Sequence, residues 1–126
     1  WLPQDELISH LKKSDVLIIP ADAYSRVVRQ AAFPTKFSEY LALGKPVIVT
    51  RLDEVSELVD RFDCGFVCQP TPESLADTIR QARDTPKAIL LRKGMNGRRL
   101  AEAQLDVNLI GRRYVAFLKR IVENQK

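Results

Sequence analysis

Apolar positions along this chain follow two rhythms. Short unbroken runs of branched residues alternate with stretches in which apolar side chains recur every three or four positions. Leu7, Ile8 and Leu11 recur at helical spacing, with Asp5-Glu6 before them and Lys12-Lys13 after them. That charge order suits a helix dipole and predicts a short helix from Asp5 to Lys13. Val16-Leu17-Ile18-Ile19 follows without alternation, as in a strand buried on both faces of a parallel sheet, and Pro20 ends it. Thr35 and Gly44 bracket a helix over Lys36 to Leu43. The first caps it through its hydroxyl, and the second stops it with the positive φ that glycine tolerates. Pro46-Val47-Ile48-Val49-Thr50 is a second buried strand.

Downstream, a short helix from Val55 to Arg61 turns Val55, Leu58, Val59 and Phe62 inward, and Gly65-Phe66-Val67-Cys68 forms a third strand. Thr71-Pro72-Glu73 reads as cap, first-turn proline and early acid, opening a helix to about Asp84. Leu75, Ile79 and Ala82 are expected to face the core. Two helices follow Pro86, over about 87–104 and 106–123. Gly94 and Gly97 weaken the middle of the first. The second gathers Leu109, Ile110, Tyr114, Phe117, Leu118, Ile121 and Val122 on one side. The expected fold class is α/β: a single domain over residues 1–126 with a Rossmann-like partial parallel sheet of about three strands, flanked by helices. Its first strand has an exposed apolar edge, to be covered by an upstream segment or by a dimer partner.

Composition adds bounds to this picture. The chain has 126 residues, 45% hydrophobic and 29% charged, as suits one soluble domain. No apolar run approaches the roughly 18 residues that span a bilayer. Cys64 and Cys68 lack the companion ligands of a zinc site and read as small buried thiols in a reducing compartment. Charge is uneven: residues 1–70 hold 8 basic against 10 acidic side chains, and residues 71–126 hold 12 against 6. The basic C-terminal helical region suits nucleic acid, anionic lipid or phosphate-bearing ligands, and such charge is more often simply a solvated helix face. No basic patch interleaved with aromatics points to nucleic acid.

The densest chemistry lies around the second helix. Residues 21–34 form a long connection after the first strand, carrying Tyr24, Arg26 and Arg29 and ending at Phe33-Pro34. Long connections at the carboxyl ends of strands tend to be functional. The helix that follows offers amides and a positive dipole end to an anion, such as a diphosphate. Lys36 in its first turn opposes the dipole, which a bound phosphate explains. Glu39, one turn in, suits two ribose hydroxyls. An ordinary capped helix with an exposed acid accounts for the same residues.

The run Phe33-Pro34-Thr35-Lys36-Phe37-Ser38-Glu39-Tyr40-Leu41-Ala42-Leu43-Gly44-Lys45-Pro46-Val47 resembles the donor-site signature of GT-B glycosyltransferases of the group 1 (GT4-like) family. Glu57-Leu58-Val59 with Gly65-Phe66-Val67 resembles that family's downstream helix and strand. The resemblance implies half of a GT-B C-terminal domain, which binds the nucleotide-sugar. It also implies a separate N-terminal acceptor domain outside this sequence, no cofactor, and hexosyl transfer to an unknown acceptor. Glu39 falls on the second glutamate of the family's Glu-x7-Glu motif, the one that binds the donor ribose. Lys36, Thr35, Pro34, Phe33 and Arg29 join it as donor-binding candidates. Position 31, where the first glutamate belongs, holds Ala31. The family's phosphate-holding Arg and Lys belong to an earlier segment. An isolated chain is then expected to bind donor without turnover, in the cytoplasm or at its membrane surface. The alternatives are a nucleotide-sugar epimerase of the same fold and a non-catalytic basic interaction module.

Overall fold

The computed structural model describes residues 1–21, 35–51 and 54–124. Helix α1 (Gln4–Lys13) leads into strand β1 (Leu17–Ile19). Helix α2 (Thr35–Ala42), strand β2 (Val47–Thr50), helix α3 (Glu54–Phe62) and strand β3 (Gly65–Cys68) follow. Then come helix α4 (Pro72–Asp84), helix α5 (Lys87–Leu100), a π-helical segment (Ala101–Leu105) and helix α6 (Val107–Glu123). The sheet is parallel in the order β1-β2-β3, with Ile18 beside Ile48 and Ile48 beside Phe66. This is the α/β architecture that the alternating runs predict.

Strand periodicity splits the core in two. Val47 and Val49 face α2 and α3, where they pack with Phe37, Leu41, Val55, Val59 and Cys64. Ile48 faces the other way, toward Phe66, Cys68 and Ala82. All four β2 residues are buried, as a central strand requires. The expectation that β1 is buried on both faces needs correction: Leu17 is buried, but Ile18 is 37% exposed. On that side α4 packs mainly over β2 and β3, and Ile18 lines an open cavity with Ile48, Ile79 and Ala82. Ile79 is likewise exposed, contrary to expectation, and Thr78 takes the inward place. The Thr78 hydroxyl donates to the Ser74 carbonyl at 2.9 Å, which satisfies it within the helix.

Two helices end in the same hydrogen-bonded turn. After α2, Gly44 takes φ +68°. Its amide donates to the Leu41 carbonyl at 2.9 Å, and the Lys45 amide donates to Tyr40 at 3.3 Å. This is the Schellman pattern that a left-handed residue makes possible. After α3 the left-handed residue is Asp63, at φ 48°, with the Cys64 amide donating to the Val59 carbonyl at 3.2 Å. A non-glycine residue there is uncommon, and external contacts hold it. Its carboxylate accepts from Lys93 Nζ at 2.5 Å and from Arg92 Nη2 at 3.3 Å, and its carbonyl accepts from Asn96 Nδ2 at 3.2 Å.

Those anchors all come from α5, which also presses on the turn after α2. A Cβ added at Gly94 would lie 2.0 Å from the Gly44 carbonyl oxygen, and one at Gly97 would lie 2.7 Å from Leu41 Cδ2. Arg98 Nη1 donates to the Ala42 carbonyl. The two glycines therefore do more than weaken a helix: Gly94 removes a side chain where two backbones meet, and Gly97 leaves room for the Leu41 side chain. The predicted 87–104 helix also ends earlier as regular α-helix. At Ala101 it widens into the π segment, with Leu100 and Ala101 buried in the α2–α3 core. Asp106 then caps α6, accepting from the Asn108 and Leu109 amides at 2.9 and 3.0 Å. No residue of α6 is buried. Leu109 is half-buried and stands apart from the exposed apolar side chains with which the sequence grouped it.

Gly94→Ala is expected to destabilise the fold by about 3 kcal/mol, since the obstacle is backbone and cannot swing away. Gly111→Ala, in open space on α6, is expected to be neutral or to stabilise by up to about 1 kcal/mol through helix propensity. Urea denaturation of both variants checks the contrast.

The hydrogen bond from Lys93 holds the Asp63 carboxyl below the ordinary aspartate value of 3.8. Burial opposes the shift, and the charges of Lys93 and Arg92 reinforce it. A depressed folded pKa means that this stabilisation is complete above the ordinary value and is lost as pH falls through the depressed one. Asp63→Asn is thus expected to cost roughly 0.5–1 kcal/mol near neutrality, a modest figure because the carboxylate is half exposed. Unfolding at about pH 7 and about pH 2.5 is expected to show that difference shrinking toward zero in acid.

Candidate functional site

In a parallel α/β sheet the strands deliver their carboxyl ends to one edge, where ligands bind. Here that edge carries the exits of β1, β2 and β3 and the amino ends of α2, α3 and α4. Thr50 organises it. This side chain is 6% exposed at the end of β2, and its hydroxyl both accepts from the Ala21 amide and donates to the Ala21 carbonyl, each at 3.0 Å. The pair fixes the chain where it leaves β1. One residue on, the Arg51 amide donates to the Cys68 carbonyl at 2.8 Å, tying β2 to the end of β3. Arg51 Nη2 meets Asp60 of α3 at 2.8 Å. At β3 the Gln69 amide donates to Ser74 Oγ at 2.9 Å, while Thr71 Oγ1 caps α4 by accepting from the Ser74 amide at 3.3 Å.

The amino end of α2 carries three of the sequence-predicted site residues. Thr35, Lys36 and Glu39 are all exposed. Lys36 and Glu39 are three residues apart, so they are neighbours on the helix surface. Among the described residues neither side chain has a hydrogen-bond or ion-pair partner. Thr35 is the first residue of α2 and not its cap, and its carbonyl accepts from Ser38 Oγ at 2.9 Å. Phe37 and Leu41, on the opposite side, are fully buried and lock the helix to the sheet. Arg29, Phe33 and Pro34 lie outside the described residues, as do Ala31 and the loop residues Tyr24 and Arg26.

The arrangement offers a helix amino end with its positive partial charge, a lysine beside it and an unengaged carboxylate one turn away. It offers no thiol nucleophile. Cys64 is buried, and burial pushes its thiol up to about 11. Cys68 is raised for the same reason. Sequence reading missed Thr50 and Arg51 as organisers of this edge. Thr50 closes an apolar strand and reads as part of it, because its partner is a backbone group 29 residues away.

A three-stranded parallel sheet flanked by helices, with a charged helix amino end at its carboxyl edge, defines an α/β protein of Rossmann-like architecture. The particular family follows from comparison with known proteins. The family model described as "Glycosyl transferases group 1" matches residues 1–96, and the chain belongs to that family of transferases. No curated protein and no solved structure matches it significantly. The match covers the sheet, α1 to α4 and most of α5, and ends before the π segment and α6. Among the described residues no helix is long and apolar enough to cross a membrane.

Thr50→Val is expected to cost about 1–3 kcal/mol, because it leaves both backbone groups of Ala21 without their partner. Thr50→Ser is expected to retain most of the stability. Hydrogen exchange at the Ala21 amide is the direct check: faster in the valine variant, close to wild type in the serine variant.

Proposed function

We propose that this chain is the nucleotide-sugar-binding part of a hexosyltransferase, within a C-terminal donor domain, with acceptor recognition carried by a separate domain. The amino end of α2 receives the donor diphosphate, Lys36 adds a mobile positive charge beside it, and Glu39 accepts hydrogen bonds from the ribose hydroxyls. Thr35, Pro34, Phe33 and Arg29 belong to the same donor site. The observation that carries this reading is the pairing of Lys36 and Glu39 on one exposed face of a helix amino end, inside the family match. A lysine there opposes the helix dipole and has no structural partner among the described residues, so a bound anion gives it a purpose.

The chemistry such a site supplies is electrostatic. As the bond between the anomeric carbon and the diphosphate oxygen breaks, its electron pair stays with the diphosphate, and negative charge builds there. Helix amides stabilise that charge without reorganising, and Lys36 adds its positive charge beside them. Glu39 acts on binding and orientation: it fixes the nucleoside at one end, so that the diphosphate at the other meets the helix.

Titration of isotope-labelled chain with UDP, GDP and ADP to about millimolar concentration tests the site. Saturable amide shifts clustered at residues 33–39, weakened about tenfold in affinity by Glu39→Ala, are expected, and the nucleotide that binds identifies the base. Saturable shifts elsewhere on the domain, indifferent to Glu39→Ala, would contradict the proposal.

A further inference from the structure

The ladder between β1 and β2 advances by a fixed step. Leu17 pairs with Val47 and Ile19 with Val49, and the Leu17 amide donates to the Pro46 carbonyl at 3.0 Å. In a parallel pair every second amide of a strand points at the same neighbour. Continued along β1, that step brings the Ala21 amide to the backbone carbonyl of Thr50. The amide goes instead to Thr50 Oγ1, at 3.0 Å. The hydroxyl hydrogen returns to the Ala21 carbonyl, also at 3.0 Å. One side chain thus replaces a rung of the ladder and engages both polar groups of a single residue. Thr50 is buried, so water competes little for these bonds. Ala21 is held to β2 just where the chain leaves the sheet.

We infer that Thr50 is a positioning residue of the donor site and acts through Ala21, an inference that rests on the donor reading above. Ala21 opens the connection that ends at Thr35, the first residue of α2, and that connection carries Arg29, Phe33 and Pro34. Its two ends are held by different means. Phe37 and Leu41, fully buried, anchor α2 at one end. The Thr50 hydroxyl holds Ala21 at the other. Fixing the start of a segment that contributes ligand contacts lowers the entropy lost on binding, and the reduction appears as affinity. Thr50 needs no contact with the donor for this, because its hydroxyl is already engaged by Ala21. Both residues lie inside the family match, and the contact between them is internal, so it stands whatever else packs against the domain. Valine has nearly the shape of threonine without the hydroxyl, and serine has the hydroxyl without the methyl. The two substitutions therefore separate the hydrogen bonds from the packing.

Titration of the chain and its variants with UDP, GDP and ADP, read from folded-state amide resonances, tests the inference. For the nucleotide that binds wild type, Thr50→Val is expected to weaken affinity about tenfold, and Thr50→Ser by less than about twofold. Thr50→Cys, whose thiol bonds weakly, is expected to weaken it about threefold and carries the test if the valine variant does not fold. Ala82→Gly is a buried change near the carboxyl end of α4, at the opposite edge of the sheet. It is expected to lower the unfolding midpoint and leave affinity unaltered, which separates position from stability. Wild-type affinity in the valine and cysteine variants would overturn the inference. An equal loss in the serine variant would overturn it too, by assigning the effect to methyl packing, and an equal loss in Ala82→Gly would do so by assigning it to stability. Wild type that binds no nucleotide, or binds equally well after Glu39→Ala, would contradict the donor reading itself and remove the inference with it.

Discussion

The structure depends on one close approach of backbones, that of Gly94 in α5 to the carbonyl of Gly44 in the turn after α2. No side chain fits between them. The turn itself requires a left-handed residue, and glycine supplies it without strain. The contact therefore needs glycine twice, once for conformation and once for space. Around it α5 gathers the other helix end: Arg92, Lys93 and Asn96 hold Asp63 in its own left-handed turn. Lys93 also donates to the Gly65 carbonyl at 3.1 Å and lies 5.0 Å from the Phe66 ring centroid. One helix thus fastens the carboxyl ends of α2 and α3 and the start of β3.

That fastening matters for function because α2 is short. Its eight residues extend only about 12 Å. With its carboxyl end fixed by the Gly44 turn and its inner side held by Phe37 and Leu41, the amino end has little freedom, and Lys36 and Glu39 are held on a rigid mount. At the same edge Thr50 ties down the exit of β1. The domain keeps its tight packing at the amino edge of the sheet and leaves charged, exposed groups at the carboxyl edge. This division suits the proposed donor site, which calls for a preorganised charged surface.

Much of this was legible in the sequence, for identifiable reasons. Unbroken runs such as Val47-Ile48-Val49 mark buried parallel strands with little ambiguity, and Gly44 followed by Pro46 marks a helix stop. Thr35, Lys36 and Glu39 could be grouped because they are local: helix spacing alone joins them. Features that rest on distant partners were hidden. Gly94 and Gly97 look like weak points until Gly44 and Leu41 are placed beside them. Asp63 in a left-handed turn gives no local signal, because its stability comes from α5. Ile18 and Ile79 are apolar enough for a core, and their exposure follows from the limited reach of α4 across the sheet. For α6, apolar periodicity correctly identified an amphipathic helix but could not tell a buried stripe from an uncovered one.

The central claim is that Glu39 holds the ribose of a nucleotide whose diphosphate lies at the amino end of α2. A two-by-two comparison of binding affinities tests it most directly: wild type and Glu39→Ala, each with the ribonucleoside diphosphate that binds and its 2′,3′-dideoxy counterpart. The account predicts that removing the hydroxyls weakens binding to wild type by about tenfold or more and scarcely alters binding to Glu39→Ala, a coupling of about 1–2 kcal/mol. Equal losses in both proteins would contradict it and separate the ribose from Glu39.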